Sequence, residues 1–319
     1  MRRFDLRSTV HPLRHLLGGG SVVAFNAGPD GEVWIVLALE PLDYRTPGNG
    51  FATFAKTIPD RGQRYRVLSL RHGQVELDVV IDGEPFNIHL VQPVGDTVLL
   101  ACARCEYRGA DDVDRNGRLY SRDGRALGSL ILGDGIESLQ ATRAGELWTG
   151  YFDEGVFGNY GWGVPLGAAG LVAWNRDGGK VYDYDPPPGV GSIADCYALN
   201  VATDDDVWCC YYTDFPLVHL RDKRVVSTWN VPVSGSHAFA VAQGHALFAG
   251  AYRDPDTFHL VRLEPEGKAR LQRRFELRDA AGDVVTKARI VGRGGLLHAL
   301  AGDVLYEIDI ADMLDLRER

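Results

Sequence analysis

Two groups of residues in this sequence carry the side chains that chemistry requires. The first is Asn87, Glu137, Asp195 and His237, each eleven to thirteen residues before an apolar residue that recurs along the chain. Gathered in one place, an amide, two carboxylates and an imidazole hold a divalent cation (Ca²⁺, Mg²⁺, Mn²⁺ or Zn²⁺), whose charge polarises a carbonyl or acidifies a bound water. The alternative is a polar recess filled by water. The second group lies in DEGVFGNYGWGVPLGAAG, residues 153–170, where Asp153 and Glu154 stand near Phe157, Tyr160 and Trp162 among six glycines. Either carboxylate, or His237, is a candidate for proton transfer. The aromatic residues suit a lid over a sugar ring or another partly apolar ligand, or else they fill space between elements. Tyr44 and Tyr197 are further candidates for ligand contact.

Other catalytic signatures are missing from the sequence. Cys102 and Cys105 form a lone C-x-x-C in a strand, and their odd separation points the thiols to opposite faces, against a metal or redox pair. Cys196, Cys209 and Cys210 read as small buried apolar residues. There is no G-x-S-x-G, no H-E-x-x-H and no phosphate loop, because Gly18-Gly19-Gly20-Ser21 lacks the following Lys.

What must position these residues is a repeat. The strand patterns GEVWIVLA, GDTVLLAC, GELWTGYF, DDVWCCYY, HALFAGAY and GGLLHALA place Trp34, Leu99, Trp148, Trp208, Phe248 and Leu297 at equivalent positions 40 to 65 residues apart. Units of this length with about four strands each predict an all-β fold, a β-propeller of six four-stranded blades in one domain over 1–319. The expected blades span approximately 20–82, 83–133, 134–185, 186–232, 233–279 and 280–319. The last unit shows only three clear strands, so residues 2–8 are expected to supply its fourth and close the ring.

The hairpin patterns PDGEVW, RAGELWTG and TDDDVW resemble those of bacterial β-propellers of the NHL, two-component-regulator-propeller and gluconolactonase-like kinds. The resemblance covers nearly the whole chain and implies the fold; propellers of this group include lactonases, lyases and scaffolds. Gluconolactonase-like propellers hold a metal with Glu, Asn and Asp, and so the resemblance supports a divalent cation at Asn87, Glu137 and Asp195. It departs at Ser21, where those enzymes take a Glu ligand from the first blade.

With Asp and Glu exceeding Lys and Arg, the net charge of −9 and pI near 5.5 argue against nucleic acid or an anionic membrane as partner. The basic stretch 268–278 reads as a solvated strand face. Five cysteines, an odd number, and a broken apolar N-terminal pattern predict free thiols, no signal peptide and a cytoplasmic location. Function is expected where the repeats differ. The loops 40–64, 104–116 and 153–169 of the first three units are long, whereas their counterparts in later units turn within a few residues. The leading expectation is a binding module presenting a loop-rich channel face to a small molecule or protein. The alternative is a metal-dependent lactonase, lyase or hydrolase, and a third class is a structural hub using the blade rims.

Overall fold

A computed structural model describes residues 3–48 and 53–314. The fold is a six-bladed β-propeller, and the strands of each blade follow one another antiparallel with the Val/Ile/Leu-rich runs in the middle. The chain divides into two compact units, His15–Tyr184 and Met1–Arg14 with Asp185–Arg319, each holding three blades.

In the unit His15–Tyr184 the first blade is Ser21–Ala27, Val33–Ala38, Gln63–Arg71 and Gln74–Glu84. The second is Leu90–Val94, Thr97–Ala101, Gly117–Ser121 and Ala126–Leu130, and the third is Ile136–Ala141, Leu147–Tyr151, Leu171–Trp174 and Lys180–Asp183. The first strand of the second blade begins at Leu90, well inside the expected unit 83–133, and carries Pro93 in the ladder opposite Val98.

In the other unit the fourth blade is Asp195–Val201, Asp206–Tyr212, Pro216–Arg221 and Arg224–Asn230. The fifth is Ala238–Ala242, His245–Ala249, Thr257–Leu263 and Ala269–Glu276, and the sixth has Arg289–Arg293, Leu296–Ala301 and Val304–Asp309. The N-terminus supplies the missing strand, as expected, but from a different segment. Thr9–Pro12 pairs antiparallel with Val304–Asp309, while Arg3–Asp5 adds a parallel fifth strand to the fifth blade beside Arg274–Glu276. Arg2, also in the expected segment, lies outside the described residues. The stretch after Ser8, and not the one before it, lies beside Val304–Asp309.

The cores lie between successive blades. Trp34, Val36, Tyr65 and Val67 of the first blade pack on Val91, Val98 and Leu100 of the second. Phe239, Phe248 and Val261 of the fifth pack on Ala198, Cys210 and Leu217 of the fourth. Five of the six repeated apolar residues are fully buried. In the first and third blades the repeat also includes a hydrogen bond, since the indole N–H of Trp34 donates to Glu32 at 3.1 Å and that of Trp148 to Glu146 at 3.0 Å. The sixth residue, Trp208, is only partly buried: it stacks on His219 at 3.8 Å, and His219 meets Asp206 at 2.6 Å.

Buried amides tie the blades of each unit together. Gln92 Nε2 donates to Ala27 O of the first blade at 3.0 Å, and its Oε1 accepts from Ala141 N of the third, also at 3.0 Å. Asn26 Nδ2 donates to Leu139 O at 2.7 Å. In the other unit Asn200 Nδ2 donates to Phe239 O and Gly294 O, and its Oδ1 accepts from Gly294 N. Such groups satisfy backbone atoms that no ladder reaches, and leaving them unpaired costs the desolvation of each. No helix is long and apolar enough to cross a membrane among the described residues.

Gln92→Leu keeps the volume but removes the side-chain hydrogen bonds to Ala27 O and Ala141 N. It should lower unfolding free energy by about 2–4 kcal/mol, read from the midpoint of urea denaturation. A midpoint equal to the wild type would contradict a tying role for this amide.

Candidate functional site

The three long loops of the unit His15–Tyr184 converge on one side chain, Arg104. It follows the second strand of the second blade, and its guanidinium is almost fully buried. Nη2 donates to Asp134 Oδ2 at 2.8 Å, and Nη1 donates to Glu154 Oε2. The Tyr160 ring covers the guanidinium at 4.1 Å, with the Phe152 ring 5.2 Å away. A guanidinium suits this place because its planar fork serves two carboxylates while its face stacks on an aromatic ring.

Each loop is locked to that centre. In the third, Asp153–Phe157 forms a short helix with Asp153 exposed at its start, where its Oδ1 accepts from Glu154 N. Tyr160 O accepts from Tyr107 N at 2.8 Å, and Trp162 Nε1 donates to Cys105 O at 2.7 Å with its ring 5.0 Å from that of Tyr107, so the third loop is bound to the second. Gly161 is required here. Its φ is +84°, and a Cβ would lie 2.0 Å from Tyr107 O. The second loop is fixed in turn by Asp134, whose Oδ1 accepts from Cys105 N at 2.8 Å. The first loop joins through Tyr160 Oη, which donates to Ala55 O at 2.6 Å.

Asn87 and Tyr44 hold the first loop from its other side. Asn87 Nδ2 donates to Asp43 O and Lys56 O, and Tyr44 Oη donates to Ile88 O at 2.8 Å and meets Tyr65 Oη at 3.0 Å. The Tyr44 ring stands edge-on to His89 at 5.1 Å. His89 Nδ1 accepts from Ala103 N, which places the ring proton on Nε2, and burial lowers its pKa to about 4, so the ring is neutral at physiological pH. Between the two ends of this loop lies an open cleft of 350 Å³ lined by Glu40, Leu42, Asp43, Asp60, Arg61 and Arg64.

The electrostatics follow from burial. Desolvation raises Asp134 to about 6, outweighing the Arg104 charge and the Cys105 amide that favour the carboxylate. Burial also works against ionised Glu154, but the hydrogen bonds from Arg104 and Asn159 and the guanidinium charge hold it below the usual carboxylate range. Glu154 is thus ionised and paired at neutral pH, serving as an acceptor that fixes the loop. Desolvation pushes Cys102 up to about 12 and raises the Cys105, Cys209 and Cys210 thiols too, which makes them inert apolar residues.

The sequence candidates fall into separate groups. Glu154, Tyr160 and Trp162 come together around Arg104, and Tyr44 and Asn87 come together under the first loop. Phe157 projects outward, 72% exposed. Glu137 lies in the same unit, on a bulge at the start of Ile136–Ala141. The other unit holds Asp195, at the start of its strand, and Tyr197 and His237, whose rings stack at 4.8 Å. Phe215 and Tyr252 stand edge-on to Tyr197 at 5.0 and 5.9 Å. No group of three His, Cys, Asp or Glu side chains suited to holding a metal occurs among the described residues. Arg104, Asp134 and His89 were missed in the sequence. The available signal was an Arg in an otherwise apolar run, Cys102-Ala103-Arg104-Cys105, which the cysteine pattern drew attention away from.

The model of the YxzG family matches residues 167–307, less than half of the chain. No curated protein matches it. Among solved structures, the chain is similar to one in the mitotic checkpoint complex, with 8% identity, 97% of each chain covered and a TM-score of 0.52. It is also similar to the computationally designed Ika8 protein, with 15% identity, 91% of this chain and 71% of that one covered and a TM-score of 0.47. A streptogramin B lyase is 9% identical over 95% of this chain and 97% of that one, with a TM-score of 0.47. Identities this low bear on the fold alone.

The site has a pH signature. Folded Asp134 binds its proton more tightly than an exposed aspartate near 3.9, so this group favours the folded state below that value and the contribution is lost as pH rises through about 6. Asp134→Asn should flatten the stability profile between about pH 4 and 6, measured by denaturation midpoints. Arg104→Met, which leaves Asp134 buried beside Glu154 with no counter-charge, should cost about 3–5 kcal/mol at pH 7. An unchanged slope in the Asn variant would refute the assignment.

Proposed function

We propose that this chain is a binding module whose working face is built by loops 40–64, 104–116 and 153–169 and receives a protein partner. One observation carries the reading: loops held in place by a buried ion-pair centre nevertheless leave large apolar side chains in water. Phe54 is 61% exposed, Leu42 53%, Phe157 72% and Val164 85%. Apolar side chains concentrated on ordered loops are expected where another surface covers them. The polar groups nearby are already engaged with one another, which favours recognition over chemistry. The five free, buried cysteines fit a reducing cytoplasm.

The test is a photo-crosslinking residue placed at Phe157 or Val164 and, as control, at Leu127, which is 57% exposed on a strand edge away from these loops. The reading predicts the same cross-linked protein from 157 and 164, none from 127, and loss of the 157 product in a Val164→Asp variant that melts like the wild type. A low-molecular-weight adduct alone would turn the reading to a small ligand, and identical products at all three positions would end it.

A further inference from the structure

The fifth blade carries a second feature, independent of the loop-built face. His245 pairs with Arg262, and Arg262 pairs with Arg270, across three adjacent strands. Residues directly opposite share a sheet face, so the Arg262 and Arg270 side chains leave the sheet as neighbours with that of His245 beside them, and the two arginine charges repel when nothing lies between. The neighbouring row on the same face is Leu247, Leu260 and Arg273, and a bulge between the two rows accommodates Gln272. Leu247 and Leu260 belong to the buried cluster that contains Met313 of the C-terminal helix Ile310–Leu314. The result is a cleft of 480 Å³, its walls Arg262, Arg270 and Arg273 and its apolar side Leu260, Met313 and Leu314.

The arginines here differ from others in the molecule. Arg66, Arg71, Arg108, Arg221 and Arg278 each meet a carboxylate at 2.9 Å or less. Arg262, Arg270 and Arg273 form no ion pair among the described residues, although the chain has 43 acidic residues against 34 basic ones. Among the described residues, Glu264 is the one carboxylate lining the cleft. The stretch 268–278 forms an outer strand, Ala269–Glu276, with Arg270 and Gln272 exposed, and Arg270 and Arg273 line the cleft on that surface.

We propose that this cleft binds a soluble small molecule bearing a phosphoryl group. Arg262 and Arg270 receive the phosphate, since paired guanidinium forks match its oxygens and the dianion cancels their mutual repulsion. Arg273 adds charge, and Leu260, Met313 and Leu314 take an apolar body attached to the phosphate. The volume suits a ligand of about nucleotide size.

Isothermal titration of the full chain with phenyl phosphate and with inorganic phosphate, at matched ionic strength, tests this. Phenyl phosphate should bind at least fivefold more tightly than inorganic phosphate, and Arg262→Gln/Arg270→Gln should weaken both by at least tenfold. Both arginines are exposed, so the double variant should keep its circular dichroism and melt no lower than the wild type, relieved of like-charge contact. The proposal is overturned if neither probe binds the wild type, or if binding survives in the double variant. It is equally overturned if the arginines serve only to hold phosphatidic acid vesicles in sedimentation while phenyl phosphate does not bind.

Discussion

A buried guanidinium between two carboxylates organises the part of this molecule that departs from its repeat. The Arg104 charge must be compensated where it is buried, and Asp134 and Glu154 come from separate connections, so satisfying it brings those connections together. Tyr160 then covers the group and spends its hydroxyl on the first loop. Three segments that as isolated loops would sample many conformations are thereby reduced to few, and the ordering cost is met by one charged network and its hydrogen bonds. Removing the arginine would leave Asp134 buried without its counter-charge and Glu154 without the group that holds its loop.

The blades obey a different economy. Their stability is distributed, with apolar side chains of neighbouring blades sharing a core and buried Asn26, Gln92 and Asn200 satisfying backbone groups between blades. Because this framework does not depend on its connections, loop length can vary from blade to blade without loss of the fold. Binding surfaces can then be elaborated on some blades and not on others, and in the unit His15–Tyr184 the elaboration falls on all three.

Much of the framework was legible because its signals are local and repeated. Alternating apolar runs between Gly and Asp turns located most strands, and the Glu-x-Trp pattern of the first and third blades marks both a buried indole and its acceptor. Non-local choices were not legible. Which N-terminal stretch completes the sixth blade depends on which outer strand each one meets, and a short alternating segment does not declare that. Whether Pro93 is tolerated in a strand depends on where it falls in the ladder. At the candidate site the aromatic third loop stood out by composition, whereas Asp134 and His89 lie outside any motif and Arg104 sits unmarked inside the C-x-x-C of Cys102 and Cys105. Their importance comes from burial, which composition does not reveal. The arginines of the fifth blade show the same limit: a basic run looks solvated until cross-strand register places Arg262 beside Arg270.

The central claim is that Arg104 holds three loops as one body, and hydrogen exchange followed by mass spectrometry on the wild type and Arg104→Met tests it most directly. The account predicts that peptides from 40–64, 104–116 and 153–169 all exchange faster in the variant while the strands of the same blades keep their protection. Faster exchange confined to the residues around position 104, with the first and third loops unchanged, would contradict it.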